Sequence, residues 1–364
     1  MERSKVYFTS FRTTSDENRI QKLKRLMLTA GMDQINFKNK YAAIKIHFGE
    51  LGNLSFIRPN YAKAVADLIK ELGGKPFLTD CNTLYVGSRK NALDHLDTAY
   101  ENGFSPFSTG CHVLIADGLK GSEERIVPVD GEYVHEAKIG SALMDADVVI
   151  SLNHFKGHEM AGMGGALKNV GMGGGSRAGK MEMHSAGKPF VNEDACIGCC
   201  CCQKICAHDA PTLRDGVVFI DHKKCVGCGR CIAVCPMDAI KPAHDEALEV
   251  LNCKIAEYAK AVLQNRPSFH ISLVMDVSPN CDCRNNNDVP IVPDIGMFAS
   301  FDPVALDMAC CEAVNSKLPQ PGSVIEGATE APLKAAHPVT DWRGQITHGK
   351  KIGLGSDEYE LITI

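Results

Sequence analysis

Between residues 196 and 236 the chain uses one cysteine spacing twice. Cys196, Cys199, Cys202 and Cys206 stand as C-x2-C-x2-C-x3-C. Cys225, Cys228, Cys231 and Cys235 repeat it, and Pro236 follows the last. This is the spacing of bacterial iron–sulfur runs. Three thiolates two residues apart can wrap one face of an iron–sulfur cube from a single loop, while the fourth comes from a more distant part of the chain. Zinc ribbons compete poorly, because zinc sites use pairs of cysteines two apart and not triplets followed by a fourth. A disulfide framework belongs to exported proteins. The opening MERSKVYFTS has neither the charged-then-apolar pattern nor the small-residue cleavage site of a signal peptide.

The doubled run resembles that of bacterial two-cluster ferredoxins, in which the last cysteine of each run ligates the other run's cluster. The resemblance implies one 4Fe–4S cluster on Cys196, Cys199, Cys202 and Cys235, and a second on Cys225, Cys228, Cys231 and Cys206. Two features depart from the pattern. Ala207 stands where Pro usually follows the run, and Cys200 and Cys201 make five cysteines in the seven positions 196–202. A slipped ligand choice at the first cluster therefore stays open.

At 364 residues the chain is too long for a ferredoxin alone and suggests two or three domains. A net charge of −5 gives no argument for nucleic acid. No apolar run approaches the ~20 residues needed to span a membrane. Seventeen cysteines without an export signal imply thiols in a reducing compartment, so a cytoplasmic location is expected.

Outside the cysteine runs, short apolar runs alternate with helical periodicity, the grammar of an α/β domain. Strands are expected over 5–11, 41–49, 75–81, 112–118 and 145–155. Helices are expected over 16–31, 60–74 and about 88–103, the first capped by Ser15 and stopped by Gly31. The pattern resumes with a helix over 245–265, strands over 269–278 and 291–300, and a helix over 301–315. Asp302 is the expected N-cap of that last helix, with Pro303 at its first position. The tail 350–364 reads as a hairpin or edge strand. The expected architecture is a discontinuous, doubly wound α/β domain with a mainly parallel sheet, segments 1–187 and 243–364. A small α+β ferredoxin-like insert with two 4Fe–4S clusters interrupts it at 188–242. Three independent domains fit less well, because no linker-like tract follows the first segment.

Polar residues cluster where open α/β sheets bind ligands, outside the carboxyl ends of strands. Lys45, His47 and Glu50 close the second strand, Asp80 the third, Asp117 the fourth, and Asn153 and His154 the fifth. The segment 153–180 then carries nine glycines between Gly157 and Gly179, where average usage would give about one or two. Bare N–H groups in such a segment form anion-binding concavities, and Lys156, Lys168, Arg177 and Lys180 add positive charge. A glycine-rich loop is expected here, cradling a phosphate, a carboxylate or a cluster edge. Its candidate cofactor-binding residues are Lys156, His158, Gly164, Gly165, Lys168, Asn169, Gly173 and Gly174. The plain alternative is a flexible lid or linker. GGSRAGKM (174–181) outlines a P-loop, but Met181 replaces the Ser or Thr that would meet Mg2+. No G-x-G-x-x-G occurs in the segment.

IKIHFGE (44–50), LTDCNTLYVGSR (78–89), the segment 153–180 and SFDPVALD (300–307), with the cysteine runs between them, resemble the domain-of-unknown-function family DUF362. The resemblance covers nearly the whole chain. It implies a discontinuous α/β domain bearing a two-cluster insert, and no settled reaction.

Three further features carry candidate chemistry. Cys281 and Cys283, with Asp282 between them and Asp288 nearby, could form a third metal site of mixed thiolate and imidazole character with His47, His154 or His158. The plain alternative is a pair of reduced surface-loop thiols. Cys310 and Cys311 lie on an apolar helix face and read as core. Cys81, Cys111 and Cys253 are solitary and read as structural.

The function expected is an iron–sulfur redox protein passing electrons between its two clusters and a small molecule or cofactor at the glycine-rich loop. A redox partner protein is implied, and a further metal or anionic cofactor stays open. Rivals are a non-enzymatic carrier or assembly partner that docks another oxidoreductase, and a metallochaperone or redox sensor. Whether the chain is an enzyme is open, because no nucleophile stands at recognisable spacing from a base.

Overall fold

Among the described residues, eight strands share one sheet: β1 (Ser4–Ser10), β2 (Tyr41–Lys45), β3 (Lys75–Asp80), β4 (His112–Ile115), β5 (Val148–His154), β6 (Ser268–Val274), β7 (Gly296–Ser300) and β8 (Tyr359–Thr363). Their order in space is β8-β1-β7-β6-β5-β2-β3-β4. Only β7 is antiparallel to its neighbours; the other pairings are parallel. The computed structural model describes residues 3–84, 87–184, 188–243 and 246–364. The expected boundary at 187, the expected helix start at Asp245, and Tyr85 and Val86 of the family-like motif lie outside those residues.

β5 is buried at every position, as a continuous apolar run in a strand covered on both faces requires. Its side chains alternate between two cores, Val148, Ile150 and Leu152 into one and Val149 into the other. Helices α1 (Arg19–Thr29) and α2 (Pro59–Glu71) cover the first core through Leu23, Leu26, Val65 and Ile69. Beyond β3 the chain forms α3 (Ala92–Glu101), and beyond β5 it forms α4 (Ala166–Gly174) and α5 (Arg177–His184). Then come α6 (Leu248–Leu263), α7 (Pro303–Asn315) and α8 (Gly344–Lys351). The second core receives Leu167 and Val170 of α4, Leu251 and Ile255 of α6, and Val304 and Leu306 of α7. Helices on both faces of a mainly parallel sheet make the domain doubly wound.

Local sequence explains most element ends. Asp302 caps α7, accepting from the amides of Val304 (2.8 Å) and Ala305 (3.0 Å), with Pro303 at the first position. The cap of α1 is Asn18 and not the expected Ser15. Asn18 and Gln21 form a reciprocal capping box, which satisfies two otherwise orphaned amides at once. Gly31 follows at φ 90°, as expected of a stop. The tail delivers an edge strand, β8, paired in parallel with β1. An antiparallel hairpin, Glu124–Pro128 with Glu136–Gly140, carries no clear pattern in the sequence and was not expected.

The expected glycine-rich loop is the main correction. Residues 156–184 form a buried hairpin (Lys156–His158 with Gly162–Gly164) and the helices α4 and α5. Most of its glycines serve close packing: within the segment only Gly162 has a positive φ. Neither a lid nor a linker describes it.

Residues 188–242 leave the sheet. Pro189–Val191 pairs with Ile240–Pro242 and Pro211–Arg214 with Val217–Ile220, both antiparallel. Short helices Cys201–Ile205 and Arg230–Val234 lie within the two cysteine runs. This part has its own apolar cluster, built from Cys202, Ala210, Val218, Ile220, Ile232 and Ile240, and joined by Leu84 and Met181 from outside it. β5 and β6 pair side by side across it in parallel register.

The contact between α4 and α6 is tight enough to test. A Cβ at Gly171 would strike the backbone carbonyl of Ile255, which cannot move aside as a side chain can. Gly171→Ala is expected to cost about 1–3 kcal/mol through overpacking, measured as a lower urea midpoint with an unchanged slope.

Candidate functional site

The order of strands reverses between β2 and β5. From β2 the chain steps outward through β3 and β4, then returns to place β5 and β6 on the other side. Such a switch point opens a crevice outside the carboxyl ends of the strands. One cavity occupies it, lined by Lys45 at the end of β2 and His47 just beyond it, Asp80 and Cys81 at the end of β3, Leu152 and His154 of β5, Arg89, and Lys156, Gly164, Gly165, Lys168, Asn169, Gly173 and Lys180.

Buried charge dominates this crevice. Lys45 Nζ lies 2.9 Å from Asp80 Oδ1 and donates to Asn169 Oδ1 at 2.8 Å. Arg89 Nε meets Glu50 Oε2 at 3.0 Å, and Arg89 Nη1 reaches Asp80 Oδ2 at 3.6 Å. Burial opposes ionisation of Asp80, but Lys45, with Arg89, outweighs it and holds the carboxyl well below its ordinary range. Asp282 is arranged likewise, 2.9 Å from His154 Nδ1 and 2.8 Å from Lys156 Nζ. Burial resists its charge, and His154 and Lys156 prevail. His47 is driven well below its usual value by burial and by Arg89, so it is neutral, with Nδ1 accepting from the Gly49 amide at 3.0 Å. Among the described residues, Lys168 and Lys180 line the cavity without a carboxylate at ion-pair distance. An anion is the ligand such a lining attracts.

The sequence-derived candidates divide accordingly. Lys156, Gly164, Gly165, Lys168, Asn169 and Gly173 line the crevice. His158 sits one chamber outward, with Glu50, Glu159, Cys283 and Arg284. Gly174 turns away, its missing Cβ facing Leu143 and Val262. Asp117 is a structural anchor, accepting from the backbone (2.8 Å) and side chain (2.9 Å) of Asn82. Asn153 bonds within the sheet to Ile271 O at 2.8 Å. Arg89 escaped sequence reading, because only the fold carries it from beyond β3 to Glu50.

The turn 278–284 alternates its side chains. Asp282 faces His154 and Lys156, while Cys281 and Cys283 face the opposite way. Cys281 is fully buried, so the reading as surface-loop thiols is overturned. Of the three histidines considered, His158 joins them, and the donor atoms of His158, Cys281 and Cys283 all lie within 4.8 Å of one another. Such spacing could hold a metal ion. His154 has both ring nitrogens engaged, by Asp282 and by Met275 O at 2.8 Å. Cys283 borders both chambers.

Cys253, read as solitary, acts on His348, which meets Glu257 at 2.8 Å; Cys253 and Glu257 together push His348 up to about 9. Cys310 and Cys311 are core residues, as expected.

In the cysteine-rich part, Cys196, Cys199, Cys202 and Cys235 line one small cavity, shared with Cys200 and Cys201. Gly198, Cys200, Gly227 and Gly229 have positive φ, which curls each run back on itself. Backbone amides point at sulfur: Gly227 N to Cys225 Sγ at 3.4 Å and Ala239 N to Cys235 Sγ at 3.3 Å. Arg177 of α5 lies against Gly229, inside the second cysteine run. Thiols converging on a cavity, with amides aimed at sulfur, fit the requirements of an iron–sulfur cluster.

Fold and site together define a cysteine-rich α/β protein with a cationic crevice at its switch point. The chain belongs to the family described as a domain of unknown function (DUF362), which matches residues 42–312. It is 30% identical over 119 residues to the thylakoid-associated protein sll1697 of Synechocystis sp., a match covering 33% of each chain; it thus spans a third of that relative's length. Two solved structures are similar at a TM-score of 0.41. One is the lactate racemase apoprotein of Thermoanaerobacterium thermosaccharolyticum, 11% identical over 86% of this chain and 57% of that one. The other is a Thermotoga maritima protein, 12% identical over 82% and 59%. Among the described residues no helix is long and apolar enough to cross a membrane.

Removing one member of a buried charge network strands the others. Asp282→Asn should cost about 3–5 kcal/mol at pH 7. The Asp282 carboxyl lies below its ordinary value in the folded protein, so its contribution is present above the unfolded-state pKa and lost as pH falls through the folded one. Urea titrations at pH 7 and pH 3 should therefore show the gap between wild type and Asp282→Asn narrowing in acid.

Proposed function

We propose that the protein is an iron–sulfur redox protein, with residues 188–242 as a ferredoxin-like insert between domain segments 1–187 and 243–364. Cys196, Cys199, Cys202 and Cys235 would hold one 4Fe–4S cluster, and Cys225, Cys228, Cys231 and Cys206 the other. Bound clusters of this kind supply one-electron transfer over a wide span of potentials. The ligand of the crevice is an anionic small molecule.

The observation that carries this reading is the position of α5. Its Lys180 lines the crevice, and the next residue, Met181, is packed in the apolar cluster of the cysteine-rich part. Thr83 and Leu84 repeat the arrangement from the loop after β3. Two successive residues, consecutive Cα atoms about 3.8 Å apart, thus bridge the thiol-rich part and the cavity. The chain's own residues have defined tasks. Lys168 and Lys180 attract the anion, Lys45 and Arg89 are fixed by carboxylates, and neutral His47 offers Nε2–H toward the cavity.

A carrier that docks a partner oxidoreductase draws support from one feature. Ile197 and Val226, each next to a run's first cysteine, and nearby Met237 are exposed. The six acids and six bases between 190 and 242 provide no acidic face to steer the encounter.

Protein prepared without air is expected to contain about eight irons and eight acid-labile sulfides. Cys228→Ser with Cys231→Ser should remove about half of each. Zinc in their place, or no sulfide, would sink the redox reading. Binding of small anions, followed by thermal shift in Lys180→Met against wild type, tests the crevice separately.

A further inference from the structure

The turn that holds Cys281 is unusually well fixed. Its backbone is tied to the β2 side by Glu50 N to Asp282 O at 2.9 Å, and to the hairpin by Gly157 N to Ser278 O at 2.9 Å. Gly157 makes that approach possible, since a Cβ there would meet Pro279 O at 2.6 Å. His337 adds a bond to the same carbonyl at 2.6 Å.

The sulfur of Cys281, buried in this turn, faces three donors. Lys168 Nζ lies 3.5 Å away and the Cys283 amide 3.4 Å. The third is His158, with a ring nitrogen within 4.8 Å of the sulfur. Its Nδ1 accepts from the amides of Met160 (3.1 Å) and Ala161 (3.0 Å), so the proton of the neutral ring sits on Nε2, the nitrogen left to donate to sulfur. That tautomer suits a thiolate acceptor. It does not suit a metal, which needs the lone pair of Nε2 and a hydrogen on Nδ1 aimed at an acceptor. The contact with Cys283 and the Lys168 ammonium at 3.5 Å hold the Cys281 thiol well below its ordinary range, while Cys281 and burial push Cys283 well above its own, so one proton stays on Cys283. Cys283 reaches both chambers.

We propose that Cys281 and Cys283 form a redox-active dithiol that reduces a small anionic disulfide entering through the outer chamber and drawn toward Lys168, which lines the inner one. Cys283 Sγ attacks one sulfur of the substrate, passing its proton to the Cys281 thiolate, and one half leaves as a thiolate. Cys281 then attacks Cys283 Sγ, and the second half leaves carrying the proton. The sum is one disulfide, one thiolate and one thiol consumed, and one protein disulfide, one free thiol and one free thiolate formed. Returning the pair to thiolate and thiol takes two electrons and one proton, the electron count of two one-electron centres; in this respect alone the inference rests on the cluster reading.

The test uses the full holoprotein, reduced and kept without air, mixed with 5,5′-dithiobis(2-nitrobenzoate) as an anionic disulfide and 4,4′-dithiodipyridine as a neutral one. A fast phase releasing two thionitrobenzoates per chain is expected, with peptide mapping after acid quench finding Cys281 joined to Cys283. Cys283→Ser should abolish the phase and Cys281→Ser should trap the mixed disulfide on Cys283. Lys168→Met should slow the anionic probe about tenfold and the neutral one little, the size of one charge-assisted contact. Iron and sulfide are measured on every sample. Normal iron with no fast phase, or a fast phase that survives in both serine variants, overturns the dithiol. So does stoichiometric zinc released only when these two cysteines are replaced. Missing iron with the fast phase intact overturns the cluster reading and leaves the dithiol standing.

Discussion

The rest of the molecule depends on the parallel pairing of β5 with β6. Adjacent parallel strands cannot be joined by a tight turn; the chain must leave the sheet, cross a face and return. In this protein that crossover, residues 155–267, carries the hairpin, α4, α5, the cysteine runs and α6. The cysteine-rich part is thereby held at both ends beside the carboxyl edge of the sheet. On its other edge β5 pairs with β2, on the far side of β2 from β3, which is what opens the crevice.

A crevice lined by ammonium and guanidinium groups is unstable unless each charge has a partner. Asp80, Glu50 and Asp282 supply them for Lys45, Arg89, His154 and Lys156. These carboxylates come from β3, the loop after β2 and the turn after β6, so the network also clamps three separate stretches of chain. Lys168 and Lys180 remain outside it, and Lys168 instead meets the sulfur of Cys281. The electrostatics thus separate groups that build the cavity from groups available to a ligand.

Glycine has a different role here from the one its frequency suggests. A run such as GMGGG suggests backbone mobility or an anion nest, yet Gly171 and Gly174 sit under α6 and Gly165 under Asp307. Asp307 accepts from the amides of Ala166 (2.7 Å) and Leu167 (2.9 Å) at the start of α4. Small residues were selected by helix packing, a long-range constraint that local composition does not display. Lys156, Lys168 and Asn169 nevertheless reach the crevice, because the packed helix presents them there.

Much could be read from residues near one another in the chain. Cysteine spacing, the strand run of β5, the Asp302–Pro303 cap and the polar strand ends are local properties, since a loop, a strand or a helix end involves only a few consecutive residues. Only tertiary structure decided which strand lies beside which, and so which polar groups meet: Arg89 with Glu50, Asp282 with His154, His158 with Cys281. Those contacts join positions up to 128 residues apart, and pairing at such distance is set by the packing of whole layers, which no short stretch of sequence encodes.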